Sequence, residues 1–271
     1  LFLQLVELGK QHQSSVRDLS WDLRITEPKT PEAEGKGFQV KGTCAAIHAE
    51  QQGDSTLVKS LYGKEGTDPL PLLNAALQNK TTLFSVHLKV ENLNMDGMKQ
   101  GETTPFFNAK SDMLEVSYSL KPEDSGKGFS FSTGSGLKGL SITLSGTDET
   151  SQKMNSLLRL NELKTSFIMA PLNPTFIASY LNLARMGMKM NGASEEEQKT
   201  MQAGLAQKGM EIASAFVASQ PQITLVVDPL DHPFGHLSGN AVASLPSLMT
   251  PQVKAEARIL KLEEVLSTLA T

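Results

Sequence analysis

Three stretches of strict alternation constrain this chain more than any other feature. Phe84, Val86, Leu88 and Val90 are separated by Ser85, His87 and Lys89. Leu114, Val116, Tyr118 and Leu120 are separated by Glu115, Ser117 and Ser119. Phe129 and Phe131, then Leu140, Ile142 and Leu144, repeat the pattern with serines and threonine between. Successive side chains of a strand point to opposite faces, so each stretch predicts a strand with one apolar face. Strands of parallel sheets are buried on both faces and read as continuous apolar runs. The one-sided pattern therefore predicts an antiparallel sheet.

The front of the chain reads as a helix over residues 1–16 and a strand over Leu19–Thr26 that carries Trp21. A turn-rich loop spans 27–37. Strands are expected at Phe38–Val40 and Cys44–Ala46, a turn at Gln51–Asp54 and a strand at Thr56–Tyr62. Asp68-Pro69 is a cap followed by proline at the first helical position, which starts a short helix bearing Leu70, Leu73 and Leu77. Further on, a helix is expected over Asp148–Leu158 and a strand over Leu163–Met169. Asn173-Pro174 caps a helix carrying Phe176, Ile177, Tyr180 and Leu181, broken at Asn191-Gly192.

Ser194 and Glu197 form a capping-box pattern ahead of a long helix whose stripe is Met201, Leu205, Ile212 and Phe216. Gln220-Pro221 stops it. Ile223, Leu225 and Val227 begin a strand that turns at 231–235 and returns through Leu237 and Val242 as a hairpin. Val253, Ala255, Ala257 and Ile259 share one face of a last strand, and Lys261–Leu269 reads as helical. Together these elements predict an α+β fold: a long twisted antiparallel sheet with helices packed on one, concave, face. Residues 1–271 read as a single elongated domain, with a seam near 146–152 between a strand-rich front and a helix-and-strand rear.

Composition narrows the function classes. Net charge is −4, and Lys and Arg are scattered, so the concentrated basic surface that phosphate backbones require is missing from the sequence. Aromatic residues make up 6%, too few to suggest stacking platforms for single strands. No nucleic-acid partner is expected. The single cysteine, Cys44, reads as a buried apolar side chain on a strand. No stretch approaches the roughly 20 apolar residues that span a bilayer. The sequence opens on Leu1, which reads as a fragment or processed form and leaves room for an upstream signal or anchor.

Each chemistry-bearing pattern has an ordinary alternative. Gly134-Ser135-Gly136-Leu137-Lys138-Gly139 matches the spacing of a dinucleotide-binding loop, but such a loop must lead into a helix. Here Leu140–Leu144 continues as a strand, so the glycines read as turn residues of a hairpin. Asp228, Asp231, His232 and His236 are the one tight set of metal-ligand or acid–base residue types. Asp228-Pro229 and His232-Pro233 are turn dipeptides, which favours a plain hairpin and leaves a metal-dependent hydrolase as the least favoured reading. His12, His48 and His87 read as solvated residues, and Met186, Met188, Met190, Met201 and Met210 as gap-filling core. Asn79-Lys80-Thr81 is a glycosylation sequon that matters only outside bacteria. No catalytic residue, cofactor or metal ligand is assigned.

The helix ending at Gln220-Pro221, the strand Ile223-Thr224-Leu225-Val226-Val227, the Pro/Asp-rich turn and the strand Gly235–Val242 resemble YdgA-like bacterial cell-envelope proteins of unknown function. The resemblance covers 173–245 and supplies no catalytic residues. It implies a periplasmic location with tethering to the inner membrane by an N-terminal segment. The repeated one-sided strands also look like the lipid-handling grooves of AsmA-type envelope proteins, an analogy of fold alone. The expectation is a non-enzymatic envelope protein acting as a binding or scaffolding module, its partner a protein or an apolar ligand. The alternative is a carrier of lipid or another apolar ligand in a groove.

Overall fold

The computed structural model describes residues 11–26, 37–53, 68–99, 102–146, 149–190, 195–244 and 250–260. Its strands are β1 (Gln11–Thr26), β2 (Gly37–Gly53), β3 (Phe84–Lys99), β4 (Phe107–Pro122), β5 (Phe129–Leu144), β6 (Arg159–Leu172), β7 (Gln222–His232), β8 (Gly235–Ser244) and β9 (Gln252–Leu260). The helices are α1 (Leu70–Gln78), α2 (Glu149–Leu157), α3 (Pro174–Met190) and α4 (Glu195–Ala218). All nine strands form one open sheet in chain order, and every neighbouring pair is antiparallel. The strands on either side of 146–152, β5 and β6, pair with each other.

Cross-strand register converts the alternation into rows. Phe84, Leu120, Phe131, Met169 and Ile223 oppose one another in sequence across β3 to β7. Its first four residues meet the helices in the main core. Leu73 and Ala76 of α1, Ile177 and Ala178 of α3, and the strand-end residues Leu83, Phe129 and Leu172 are buried there, with Phe216 of α4 packed alongside. Phe129 and Leu73 are wholly enclosed. Further along the strands the apolar rows are open: Leu88 is 40% exposed, Tyr118 46% and Leu225 45%.

A second line crosses five strands. Asp18, Asn92 and Gly139 have φ of 51°, 50° and 63°, in β1, β3 and β5. Between them lie Ala45 of β2 and Asp112 of β4, as the flanking pairs Arg17↔Ala46 and Leu19↔Cys44, and Glu91↔Met113 and Leu93↔Ser111, show. Register is unchanged across the line. Asp, Asn and Gly are the residues that enter left-handed backbone most readily, which is why they stand there. The apolar pattern changes phase at this line. In β3 it passes from Val86, Leu88 and Val90 to Leu93 and Met95, and in β5 from Phe129 and Phe131 to Leu140, Ile142 and Leu144. Beyond it Gly42, Met95, Ala109 and Ile142 form a new row, and Phe38, Phe106 and Phe107 cluster with centroids 5.1–6.3 Å apart.

Several expectations are corrected. Gln11–Val16 belongs to β1 and is not helical, since its pairing with β2 continues to Gln11↔Gln52. β2 runs unbroken to Gly53, so Gln51–Gly53 is strand and not turn. Asp68 does accept a bond from the Leu70 N–H at 3.0 Å, but Pro69 occupies the cap position itself. Residues 1–10, Thr56–Tyr62, the Asn191-Gly192 break, the Ser194 cap and Lys261–Leu269 lie outside the described residues.

Candidate functional site

The face opposite the Phe84–Leu120–Phe131 row is polar, and its residues also line up across the sheet. One row runs Gln13, Glu50, His87, Ser117, Gly134, Ser166, Val226, Asn240 and Glu256, from β1 to β9. The adjacent row runs Ser15, His48, Lys89, Glu115, Gly136 and Lys164. Three depressions lie along these rows. The first, of about 320 Å³, is bordered by His87, Glu115, Ser117, Lys164, Ser166 and Asp228. A second of about 340 Å³ shares His87 with it and reaches Ser14 of β1. The third, of about 320 Å³, shares Val226 and Asp228 and reaches Glu256 and Arg258 of β9. Linked in this way, they form a shallow groove running across the strands. Eight inter-strand steps give it a length of roughly 38 Å.

Glycine makes the middle of the groove. A Cβ on Gly134 would lie 2.9 Å from Ser117 Oγ, and one on Gly136 would strike the Glu115 side chain. The glycine-rich hexapeptide therefore neither binds a nucleotide at a helix start nor turns a hairpin. Gly134, Gly136 and Gly139 lie within β5, which corrects the turn reading. The residues that fit the role are those whose missing side chains leave room beside polar neighbours.

Charges in the groove alternate in sign. Lys164 Nζ lies 2.7 Å from Glu162, and Lys89 Nζ lies 2.6 Å from Glu91. His48 Nε2 is 3.7 Å from Glu91, and His87 Nε2 is 3.7 Å from Glu115. The Lys164 ammonium, by hydrogen bonding first and by charge second, holds the Glu162 carboxyl below its usual range, and Glu162 raises Lys164 in return. Lys89 does the same to Glu91. A row of hydroxyls flanks the groove, with Ser119 Oγ and Ser132 Oγ 2.7 Å apart. Such a surface offers hydrogen-bond donors and acceptors to an extended polar ligand.

The Asp228–His236 set is dispersed. Asp228-Pro229 sits at a register shift within β7, between Val227 and Leu230, so this dipeptide is a bulge and not a turn. Asp228 faces the groove. Asp231 pairs with His236, whose Nδ1 lies 3.9 Å from its carboxylate. His232 Nδ1 accepts a bond from the Phe234 N–H at 3.2 Å at the hairpin turn. Among the described residues, no three His, Cys, Asp or Glu side chains converge as a metal set.

Other singled-out residues fall into place. Cys44 is buried in β2. Trp21 lies over Gly42, opposite it in register. Asn79 ends α1, its N–H donating to Ala75 O at 3.0 Å. Met210 is 70% exposed and fills no core. The side chains of His12, Met188, Met190 and Met201 lie outside the described residues. The groove is not legible in the sequence because His87, Glu115 and Lys164 stand on three different strands, and only strand register sets them side by side. No protein-family model, curated protein or solved structure matches this chain. Among the described residues, no helix is long and apolar enough to cross a membrane.

Proposed function

We propose that this protein is a non-enzymatic binding or scaffolding module whose sheet holds an extended partner across its strands. The observation that carries this reading is the transverse groove, with His87 and Asp228 each bordering two of its depressions. A broad, shallow, self-neutralised surface suits a partner held by many polar contacts along its length. In this reading the helices lie along the concave face and stiffen the sheet. The location in the bacterial periplasm, with tethering to the inner membrane, is part of the same proposal and rests on the YdgA-like pattern over 173–245.

Photo-crosslinking residues placed in turn at Ser117, Ser166 and Leu88 test it in cells that make the protein. Discrete protein adducts from Ser117 and Ser166 support a groove-bound partner. An absence of adducts from both groove positions, with the protein folded, removes the reading.

A second reading, a carrier of lipid or another apolar ligand, is favoured by the exposed row residues Leu88, Tyr118 and Leu225. Native mass spectrometry of freshly purified protein decides it. A retained lipid, together with adducts confined to Leu88, would support the carrier; clean unliganded protein would count against it.

A further inference from the structure

On the helix-bearing face, a second apolar row lies roughly 20 Å along the strands from the Phe84 row. It runs in register from Val16 on β1 through Val90, Leu137, Leu163 and Leu230 to Ile259 on β9, and each of the nine strands contributes a Val, Ile or Leu. Among the described residues, none of the nine packs into the helix core. Val16 and Ile259 are more than half exposed, so the row opens to water at both sheet edges. Beyond the row the same face turns polar, with Thr43, Asn94, Lys110 and Ser141 in register. The bulge in β7 keeps the row intact. Between the pairs Thr165↔Val227 and Leu163↔Leu230, β6 has one residue and β7 has two, Asp228 and Pro229. Without the extra residue, Pro229 would stand opposite Leu163 and Leu230 would face the polar groove.

We propose that this row holds the hydrocarbon chain of a long-chain fatty acid lying across the strands. The proposal rests on the apolar-carrier reading above and names its site and its ligand. Three features select this occupant. The row carries no side-chain polar atom and repeats the same branched aliphatic chemistry at every step, so it sets no register. A polymethylene chain, alike along its length, needs none, whereas a folded partner is fixed by aromatic or arginine anchors in pockets. Each of β2 to β8 is paired on both sides, which commits the main-chain N–H and C=O groups to the sheet. An extended peptide laid across them would give up water without gaining hydrogen bonds, and a hydrocarbon has none to give up. The open ends at β1 and β9 leave the carboxylate in water while the chain is covered, so no charge is buried.

Fluorescence titration of the delipidated full chain with cis-parinaric acid, a fatty acid that brightens on leaving water, tests the proposal. A saturable rise reversed by palmitate is expected. The double variant Val16→Gln with Ile259→Gln puts neutral amides at the exposed row ends, where little of the fold is at stake. It is expected to weaken binding roughly tenfold, as the loss of a few methylene contacts would. Leu137→Thr, a strand-compatible change at the centre of the row, is expected to do the same. Leu260→Thr lies next to Ile259 but on the opposite face of β9 and should change nothing. Circular dichroism checks that each variant is folded. No saturable rise, or one that survives both row variants, would overturn the proposal; a lipid retained in native mass spectrometry would then still support a carrier with its site elsewhere. Displacement of parinarate by an amphipathic helical peptide and not by palmitate would overturn the fatty acid as occupant. A loss from Leu260→Thr equal to that of the row variants would overturn the row as the site.

Discussion

Gly139 and Gly42 are held to glycine for different reasons. Gly139 needs a left-handed backbone, with φ of 63°, and the Asp112 carboxylate occupies the space a Cβ would take. Gly139→Ala is expected to lower stability by about 1–2 kcal/mol, with Gly139→Asn milder because Asn tolerates that region. Equal losses for the two, in urea unfolding, would show that contact with Asp112 and not backbone conformation decides. Gly42 has ordinary backbone, but the Trp21 indole lies where its side chain would be. Gly42→Val should therefore displace the indole, seen as a red shift and quenching of the emission of the only tryptophan.

The helices depend on ties to one another as well as to the sheet. Asn173 Oδ1 accepts a bond from the Phe176 N–H at 2.7 Å, capping α3, while its Nδ2 donates to Ala215 O of α4 at 3.3 Å. The Asn173 N–H donates to Ser219 Oγ at 3.1 Å, and Phe176 packs on Phe216 with centroids 5.1 Å apart. Asn173→Ala removes both side-chain bonds and is expected to cost about 1 kcal/mol, typical of a lost cap. Hydrogen exchange should quicken in the first turn of α3 and the last of α4 together. Acceleration in α3 alone would mean that the tie to Ala215 contributes nothing. α2 is joined to the sheet differently: Asn155 bonds both the N–H and the C=O of Leu144, at 2.7 and 3.1 Å, so one side chain substitutes for a strand neighbour.

Across the whole molecule, surface charge sets the response to pH. Asp22, chiefly through its bond from Gln39, and Glu91 and Glu162, chiefly through Lys89 and Lys164, have carboxyls below their ordinary range. A depressed folded value means the stabilisation is present above the unfolded pKa of about 4 and is lost as pH falls through the folded value. Lys164 is raised, so its part is present below about pH 10 and fades above its folded value. The urea midpoint should be flat near neutrality and decline below about pH 4. Since these groups lie at the surface, about 0.5 M salt should flatten the decline. An acid limb unchanged by salt would place its origin in other groups.

The two-residue period of β3 to β5 determined the antiparallel sheet, because burial on one face is written into alternate positions. The helix start at Asp68-Pro69, the cap at Asn173 and the stop at Gln220 likewise depend on near neighbours and were legible, though the cap position at the first is Pro69. The phase change at Asn92 and Gly139 was also present in the residue order, but one glycine or asparagine in an alternating run resembles noise until three such residues align. Tertiary structure alone decided that alignment, the burial of Phe129 beneath α1 and α3, and the groove. His87, Glu115 and Lys164 lie dozens of residues apart and become neighbours only through register. Register is set jointly by all nine strands, and no local stretch of the chain contains it.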